Sequence, residues 1–268
     1  MNITIIGGGN MGGAIARSLS KGNIFKATDI TVIDPNIAAL DAIKAFNPDI
    51  HTATGDDDAI HAADIVLVAV KPHLVENLLK NIKFQLDYHR QIIISIAAGI
   101  SFDQINMFLE KNASAEPILF RLVPNTAIAI GESMTFIASR NASREQEHLV
   151  ADIFSSLGKT MITDERYIPA ATALASCGIA YAFRYIRAAM LAGVEIGFYP
   201  EQAKNIVVQT LRGAIALIEE NKSHPETEID KVTTPDGITI KGLNVMEKYG
   251  FSNALIEGIK ASNWRHLE

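Results

Sequence analysis

The chain has 268 residues, 48% of them hydrophobic and 20% charged, with a net charge of −6. That length favours two domains of ordinary soluble composition, and the acidic balance without a clustered Lys/Arg surface argues against nucleic acid and leaves small molecules as the expected partners. The single cysteine, Cys177, excludes an intrachain disulfide. The start, Met1-Asn2-Ile3-Thr4, carries no basic-apolar leader, and the longest uncharged run, 167–183, is too short and too interrupted by Pro169, Thr172 and Ser176 to span a bilayer. A cytoplasmic protein is expected.

The first stretch, "MNITIIGGGNMGGAIARSLSKG", reads as strand, glycine turn and helix, with Met11, Ile15 and Leu19 at helical spacing. "DITVIDPN" follows as a second strand ending at Asp34, and "IAALDAIKAF" as a helix. "ADIVLVAV" (63–70) and "RQIIISIAAG" (90–99) are unbroken apolar runs, the pattern of parallel strands covered by helices on both faces. "EPILFRLVPNT" (116–126) adds another strand and "SMTFIAS" (133–139) is read as the last. Strands alternating with helices predict a doubly wound, Rossmann-type α/β domain with a parallel sheet over residues 1–163.

Gly7, Gly9 and Gly12 form G-x-G-x-x-G between strand and helix, with the acidic Asp34 about twenty residues on. Gly7 serves the tight turn, Gly9 the close approach of backbone to a pyrophosphate, and Gly12 the packing of helix on strand; the helix N-terminus then presents unpaired N–H groups to phosphate. The alternative is that these glycines only turn the chain. Asp34 suits a free ribose 2′-hydroxyl and would repel a 2′-phosphate, which leans towards NADH; alternatively it caps the helix after Pro35. Ligands in such sheets lie beyond the carboxyl ends of strands, which singles out Ala69-Val70-Lys71-Pro72, Ala97-Ala98-Gly99 and Val123-Pro124-Asn125-Thr126. Lys71 can meet phosphate or ribose, or be a solvated loop lysine. The Asn125 amide can serve a carboxamide or substrate nitrogen, or belong to a turn.

From about residue 165 the strand signals stop, and residues 164–268 are expected to be all helical. "AATALASCGIAYAFRYIRAAMLAGVEIG" is a long helical pattern dense in small residues, and a second helix runs from about Pro200 to Glu220. Small residues on several faces invite close helix packing, so a second subunit is expected to cover part of this region; the alternative is an intramolecular bundle. Between shorter helices lies "VTTPDGITIKGL" (232–243), whose three threonines around a Pro-Asp-Gly turn exceed what a turn needs. The seven histidines, His51, His61, His73, His89, His148, His224 and His266, show no metal-ligand spacing, and no metal is expected.

Taken together, "IIGGGNMGGAI", "VAVKP" (68–72), "RLVPNTAIAIGE" (121–132), "TALASCGIAYAF" (172–183), "QTLRGAIALI" (209–218) and "HPETEIDKVTTPDGITIKGL" (224–243) resemble the pyrroline-5-carboxylate reductases in order, spacing and total length. The resemblance implies a reductase that transfers hydride from NADPH or NADH to a cyclic imine to give proline, working as a homodimer or an assembly of dimers. It implies that Gly7, Gly8, Gly9, Asn10 and Met11, followed by Gly12, hold the pyrophosphate, and that Lys71, flanked by Val70 and Pro72, and Asn125 line the cleft. Glu165 falls where the family has an acidic residue near its active site. Thr233, Thr234, Gly237 and Ile238 would bind the substrate carboxylate through backbone N–H groups, and Thr239 would meet the ring nitrogen. The chain departs from the family at Ser176-Cys177-Gly178-Ile179-Ala180-Tyr181, where Gly-Ser-Gly-Pro-Ala-Tyr is usual. It departs again at Thr234-Pro235-Asp236-Gly237-Ile238-Thr239, in place of Ser-Pro-Gly-Gly-(Thr or Ala)-Thr. Asp236 would oppose an anionic substrate unless it turns to solvent. A related reductase on another imine or keto acid, and a non-catalytic dinucleotide-binding paralogue, are the alternative functions.

Overall fold

The computed structural model describes residues 1–55, 57–111 and 116–263. The apolar runs become strands that are buried along their whole length: β1 (Ile3–Ile6), and further on β4 (Ile65–Val68) and β5 (Ile92–Ser95), have every residue buried. Between them come α1 (Asn10–Leu19), β2 (Ile30–Ile33), α2 (Ile37–Phe46), β3 (His51–Ala53), α3 (Asp57–Ala62) and α4 (Pro72–Ile82). The chain continues through α5 (Phe102–Phe108), β6 (Ile118–Val123), β7 (Ser133–Arg140), α6 (Arg144–Ser155) and β8 (Gly158–Ile162). Amphipathic spacing explains the helices: α1 buries Ala14, Ile15 and Leu19 against Ile3, Ile5 and Val32 of the core.

The described residues form an eight-stranded sheet in the order β3-β2-β1-β4-β5-β6-β7-β8. The β3 to β6 pairings are parallel, in register Ile3↔Ile30 and Ile3↔Ile65 on the two sides of β1. The chain works outward from β1 through β2 to β3, then returns to the other side of β1 at β4. This reversal opens a crevice at the carboxyl ends of β1 and β4, the place where such sheets hold ligands.

Two strand expectations change. The segment at 133–139 is not the last strand, because β8 pairs beside it at the sheet edge. "GKTMI" has mostly exposed or half-buried residues, so it lacks the continuous apolar run that marks a central strand. Nor is the sheet all parallel: β7 runs antiparallel to β6. A parallel return needs a crossover of a dozen or more residues; here a short helical turn, Thr126–Ile130, and Gly131 at φ 75° reverse the chain directly.

The chain divides into two compact units, Met1–Ser176 and Cys177–Glu268. The first ends with a helical turn at Glu165–Tyr167, α7 (Ile168–Ala171) and a π-helical turn at Thr172–Ser176, where the Thr172 hydroxyl donates to the Ile168 carbonyl at 2.8 Å. The second comprises α8 (Gly178–Glu195), α9 (Pro200–Asn221), α10 (Pro225–Lys231), α11 (Ile238–Lys248) and α12 (Phe251–Ala261). Gly193 lets α8 approach α9, since a Cβ there would lie 2.9 Å from Ala203 Cβ. Tyr181 ties α8 to α12 through the Gly258 carbonyl and the Ser262 hydroxyl. Among the described residues of this unit only Ala203 is a buried hydrophobic, while Phe183, Leu191 and Ile215 are each more than half exposed. No described helix is long and apolar enough to cross a membrane.

Candidate functional site

The glycine turn is built on steric necessity. Gly7 sits at φ 109°, and a Cβ there would stand 2.7 Å from the Ala69 carbonyl oxygen. A Cβ on Gly12 would stand 1.9 Å from the Gly7 carbonyl oxygen and 2.9 Å from Ala69 Cβ, so α1 can rest on β1 and β4 only without a side chain here. Gly9 differs: a Cβ on it would meet nothing within 4 Å. It is the N-cap of α1 and provides no side-chain cap, and the first turn, opening with Asn10 and Met11, carries no acidic residue. The leading N–H groups of α1 therefore face open space with the positive end of the helix dipole behind them. This concavity fits the pyrophosphate of a dinucleotide.

Asp34 closes one side of it. One carboxylate oxygen accepts the Gly8 N–H at 2.7 Å and the other the Asn36 N–H at 2.8 Å. The helix cap is Asn36, whose side chain accepts the Ala38 N–H at 3.1 Å, so Asp34 joins the glycine turn to the β2–α2 loop instead of capping α2. At the end of β4, half-buried Val70 leads into Lys71, the N-cap of α4, and Pro72 occupies the first helical position where no N–H is missed. Lys71 is exposed, and its ammonium has no hydrogen-bond or ion-pair partner among the described residues. Gly7 to Gly12, Asp34 and the Val70-Lys71-Pro72 turn thus gather at the carboxyl ends of β1, β2 and β4.

Asn125 lies farther along, after β6, with β5 between. Its carbonyl oxygen accepts the Ala127 N–H at 3.0 Å and its amide donates to the Ala175 carbonyl at 3.4 Å, so both ends of the side chain hold local backbone. Glu165 is likewise engaged. One of its oxygens accepts from the Arg121 guanidinium at 2.5 Å and from the Phe102 N–H at 2.7 Å, and the other lies 3.6 Å from Arg140. Arg121 is only 6% exposed. Burial pulls its guanidinium below the ordinary value, opposed by the hydrogen bond and charge of Glu165. Sequence reasoning passed over Arg121, although a charge inside the apolar strand "ILFRLV" demands a buried partner.

In the second unit, the Thr-rich turn joins α10 to α11. Thr233 donates to the Ile229 and Asp230 carbonyls at 3.2 Å, closing α10. The Gly237 N–H returns to the Thr234 carbonyl at 2.9 Å, with Asp236 at φ 58°. A Cβ on Gly237 would lie 2.7 Å from Thr234 Oγ1, which makes glycine the fitting residue. α11 begins at Ile238 with Gly237 as a cap that offers no side chain. Thr239 is therefore inside the first turn and not the cap; it is exposed, and its hydroxyl has no partner among the described residues. The Asp236 side chain is 92% exposed and pairs with Lys241 at 2.7 Å. No group of three or more His, Cys, Asp or Glu that could hold a metal occurs among the described residues, and His266 lies outside them.

Comparison with known proteins supplies the family. A family profile described as pyrroline-5-carboxylate reductase dimerisation matches residues 165–268, and one described as NADP oxidoreductase coenzyme F420-dependent matches residues 2–99. The chain is 41% identical to pyrroline-5-carboxylate reductase 1 of Dictyostelium discoideum over 97% of its own length, spanning about half (48%) of that relative. It is 35% identical to the pyrroline-5-carboxylate reductase of Aquifex aeolicus, covering 98% of this chain and 95% of that one. Among solved structures, the Plasmodium falciparum pyrroline carboxylate reductase with NADP bound superposes with a TM-score of 0.89 at 26% identity, covering 99% of this chain and 96% of that one. With 35% identity over nearly the whole of both chains to the Aquifex aeolicus reductase, the chain belongs to the pyrroline-5-carboxylate reductase family.

Proposed function

We propose that the protein is a pyrroline-5-carboxylate reductase, reducing the cyclic imine with NAD(P)H to give L-proline. The observation that carries the reading is a pair of groups the fold does not itself use: the N-terminus of α1, without a side-chain cap behind an open Gly9, and the Thr239 hydroxyl, without a partner among the described residues beside a turn where glycine fits at 237. Residues 1–163 are read as the dinucleotide domain and residues 164–268 as the substrate-binding and dimerisation domain. The protein is read as a cytoplasmic homodimer or assembly of dimers.

When bound, the reduced nicotinamide supplies the hydride. The residues of this chain bind and orient. The Gly7 to Gly12 turn holds the pyrophosphate on the leading N–H groups of α1, since those of Gly7 and Gly8 go to the Ile33 carbonyl and the Asp34 carboxylate, and the ammonium of Lys71 adds positive charge beside it. Asp34 stands at the ribose end, and no Lys or Arg occurs from 27 to 43 to neutralise a 2′-phosphate, so NADH is read as at least as good a donor as NADPH. Around the turn formed by Thr233, Thr234, Gly237 and Ile238, the N–H groups of Thr234 and Ile238 take the substrate carboxylate, since Thr233 and Gly237 donate theirs to the Asp230 and Thr234 carbonyls. Thr239 donates or relays a proton at the ring nitrogen, which becomes the secondary amine as carbon receives hydride.

Asp236 is the feature that would favour a different imine or keto acid. Its exposure and its pairing with Lys241 turn the carboxylate outward and offset its charge, which supports the anionic substrate. The test is oxidation of NADH and NADPH by purified protein with pyrroline-5-carboxylate, with proline identified as product. Turnover only with another imine or keto acid would support the alternative reductase, and dinucleotide binding without any turnover would support the non-catalytic one.

A further inference from the structure

The carboxylate of Glu165 lies at the centre of a network that reaches the ligand edge of the sheet from behind. Phe102 is the first residue of α5, and its N–H, which no helical carbonyl can accept, donates to Glu165. The next residue, Asp103, pairs with Arg140 at 2.6 Å. The ring of Phe102 is 1% exposed, with the Arg121 guanidinium 5.8 Å and the Arg140 guanidinium 5.2 Å from its centre. Glu165 thus grips β6 through Arg121, β7 through Arg140 and the start of α5 through backbone. Removing it would leave a buried guanidinium and an orphaned helix N–H together.

What α5 holds in turn is the segment 96–101, the connection from the carboxyl end of β5. Its tip is open: Ala98 and Gly99 are exposed, Gly99 lies at φ 79°, and a Cβ on it would meet nothing within 4 Å. β5 is the neighbour of β4, whose end carries Lys71, so this connection borders the crevice beside the glycine turn. One end of it is fixed by the sheet and the other by the Glu165 clamp.

We propose that Glu165 is a positioning residue for dinucleotide binding, acting through Phe102, Arg121 and Arg140 to hold the 96–101 connection against the cofactor. The inference rests on the dinucleotide site proposed above. Its test is direct titration of NADH and NADPH, by fluorescence or calorimetry, into wild type, Glu165→Gln and Glu165→Ala. Phe154→Leu, a core variant outside the network, serves as a control for lost stability. The expected result is a dissociation constant raised about tenfold in Glu165→Ala, the scale of a lost positioning contact. Glu165→Gln, which keeps an acceptor for Phe102, should be raised less, and Phe154→Leu should be unchanged although its melting temperature falls.

A wild-type dissociation constant in Glu165→Ala overturns the proposal and leaves Glu165 a structural ion pair. Unchanged binding with a reduced kcat also overturns it, in favour of contact with the reacting atoms. Should neither Glu165 variant fold, Arg140→Gln removes the more exposed arm and carries the same expectation, with unchanged binding overturning it. Failure of the wild type to bind either dinucleotide would instead refute the cofactor reading beneath it.

Discussion

At the residue scale the proposed chemistry rests on two side chains. Thr239 has an exposed hydroxyl with no partner among the described residues and does not cap its helix. Thr239→Ala should therefore leave the melting temperature unchanged while lowering kcat/KM by about tenfold, roughly 1.4 kcal/mol of transition-state stabilisation. Steady-state kinetics beside a thermal melt check this, and near-normal turnover would remove Thr239 from the mechanism. Asp34 is different because it already works in the fold, accepting from Gly8 and Asn36. Asp34→Ser should move the ratio of kcat/KM values towards NADPH and lower stability slightly, since a hydroxyl can accept only one of those bonds well. Measured specificity constants that do not change would show that Asp34 holds the loop without reading the 2′ position. That Asp34 ends a strand and that Thr239 follows a turn were both legible in the sequence. Their hydrogen bonds were not, because one of the Asp34 carboxylate's partners, Gly8, lies in a turn 26 residues away, and a missing partner shows only when the neighbours are in place.

At the scale of the element, β1, the glycine turn and α1 separate stability from binding. A methyl group on Gly12 would collide with the Gly7 carbonyl oxygen, whereas one on Gly9 would enter open space. Gly12→Ala should thus destabilise the protein by about 1–3 kcal/mol, the usual cost of overpacking, and weaken NAD(P)H binding as α1 shifts. Gly9→Ala should melt like the wild type yet bind the dinucleotide more weakly, since its methyl would enter the place proposed for the phosphates. Calorimetric melts and binding titrations on both variants check the contrast; normal binding by Gly9→Ala would mean that the pyrophosphate lies elsewhere. The spacing of Gly7, Gly9 and Gly12 assigned Gly7 to the turn, Gly12 to packing and Gly9 to a ligand, but it could not show what a side chain at each would meet. That depends on Ala69, brought across from β4.

For the whole molecule, the helical unit leaves the large apolar side chains Phe183, Leu191, Ile206, Ile215 and Leu255 substantially exposed. Apolar surface of this extent is costly in water and is expected to be covered by a partner. Light scattering should give a mass at least twice the 29.1 kDa of one chain, and an active monomer at low concentration would contradict the proposed assembly. The doubly wound order of strands, the glycine turn, the helical second half and the family were all determined by the sequence itself, because each rests on local periodicity and on motifs whose spacing is covalent. Only the tertiary structure decided the rest. It showed that β7 runs antiparallel because too few residues separate it from β6, that β8 completes the sheet edge without an apolar signature, and that Glu165 answers the charge of Arg121. These outcomes depend on which distant segments meet, and burial turns such meetings into energetic demands that no single stretch of sequence displays.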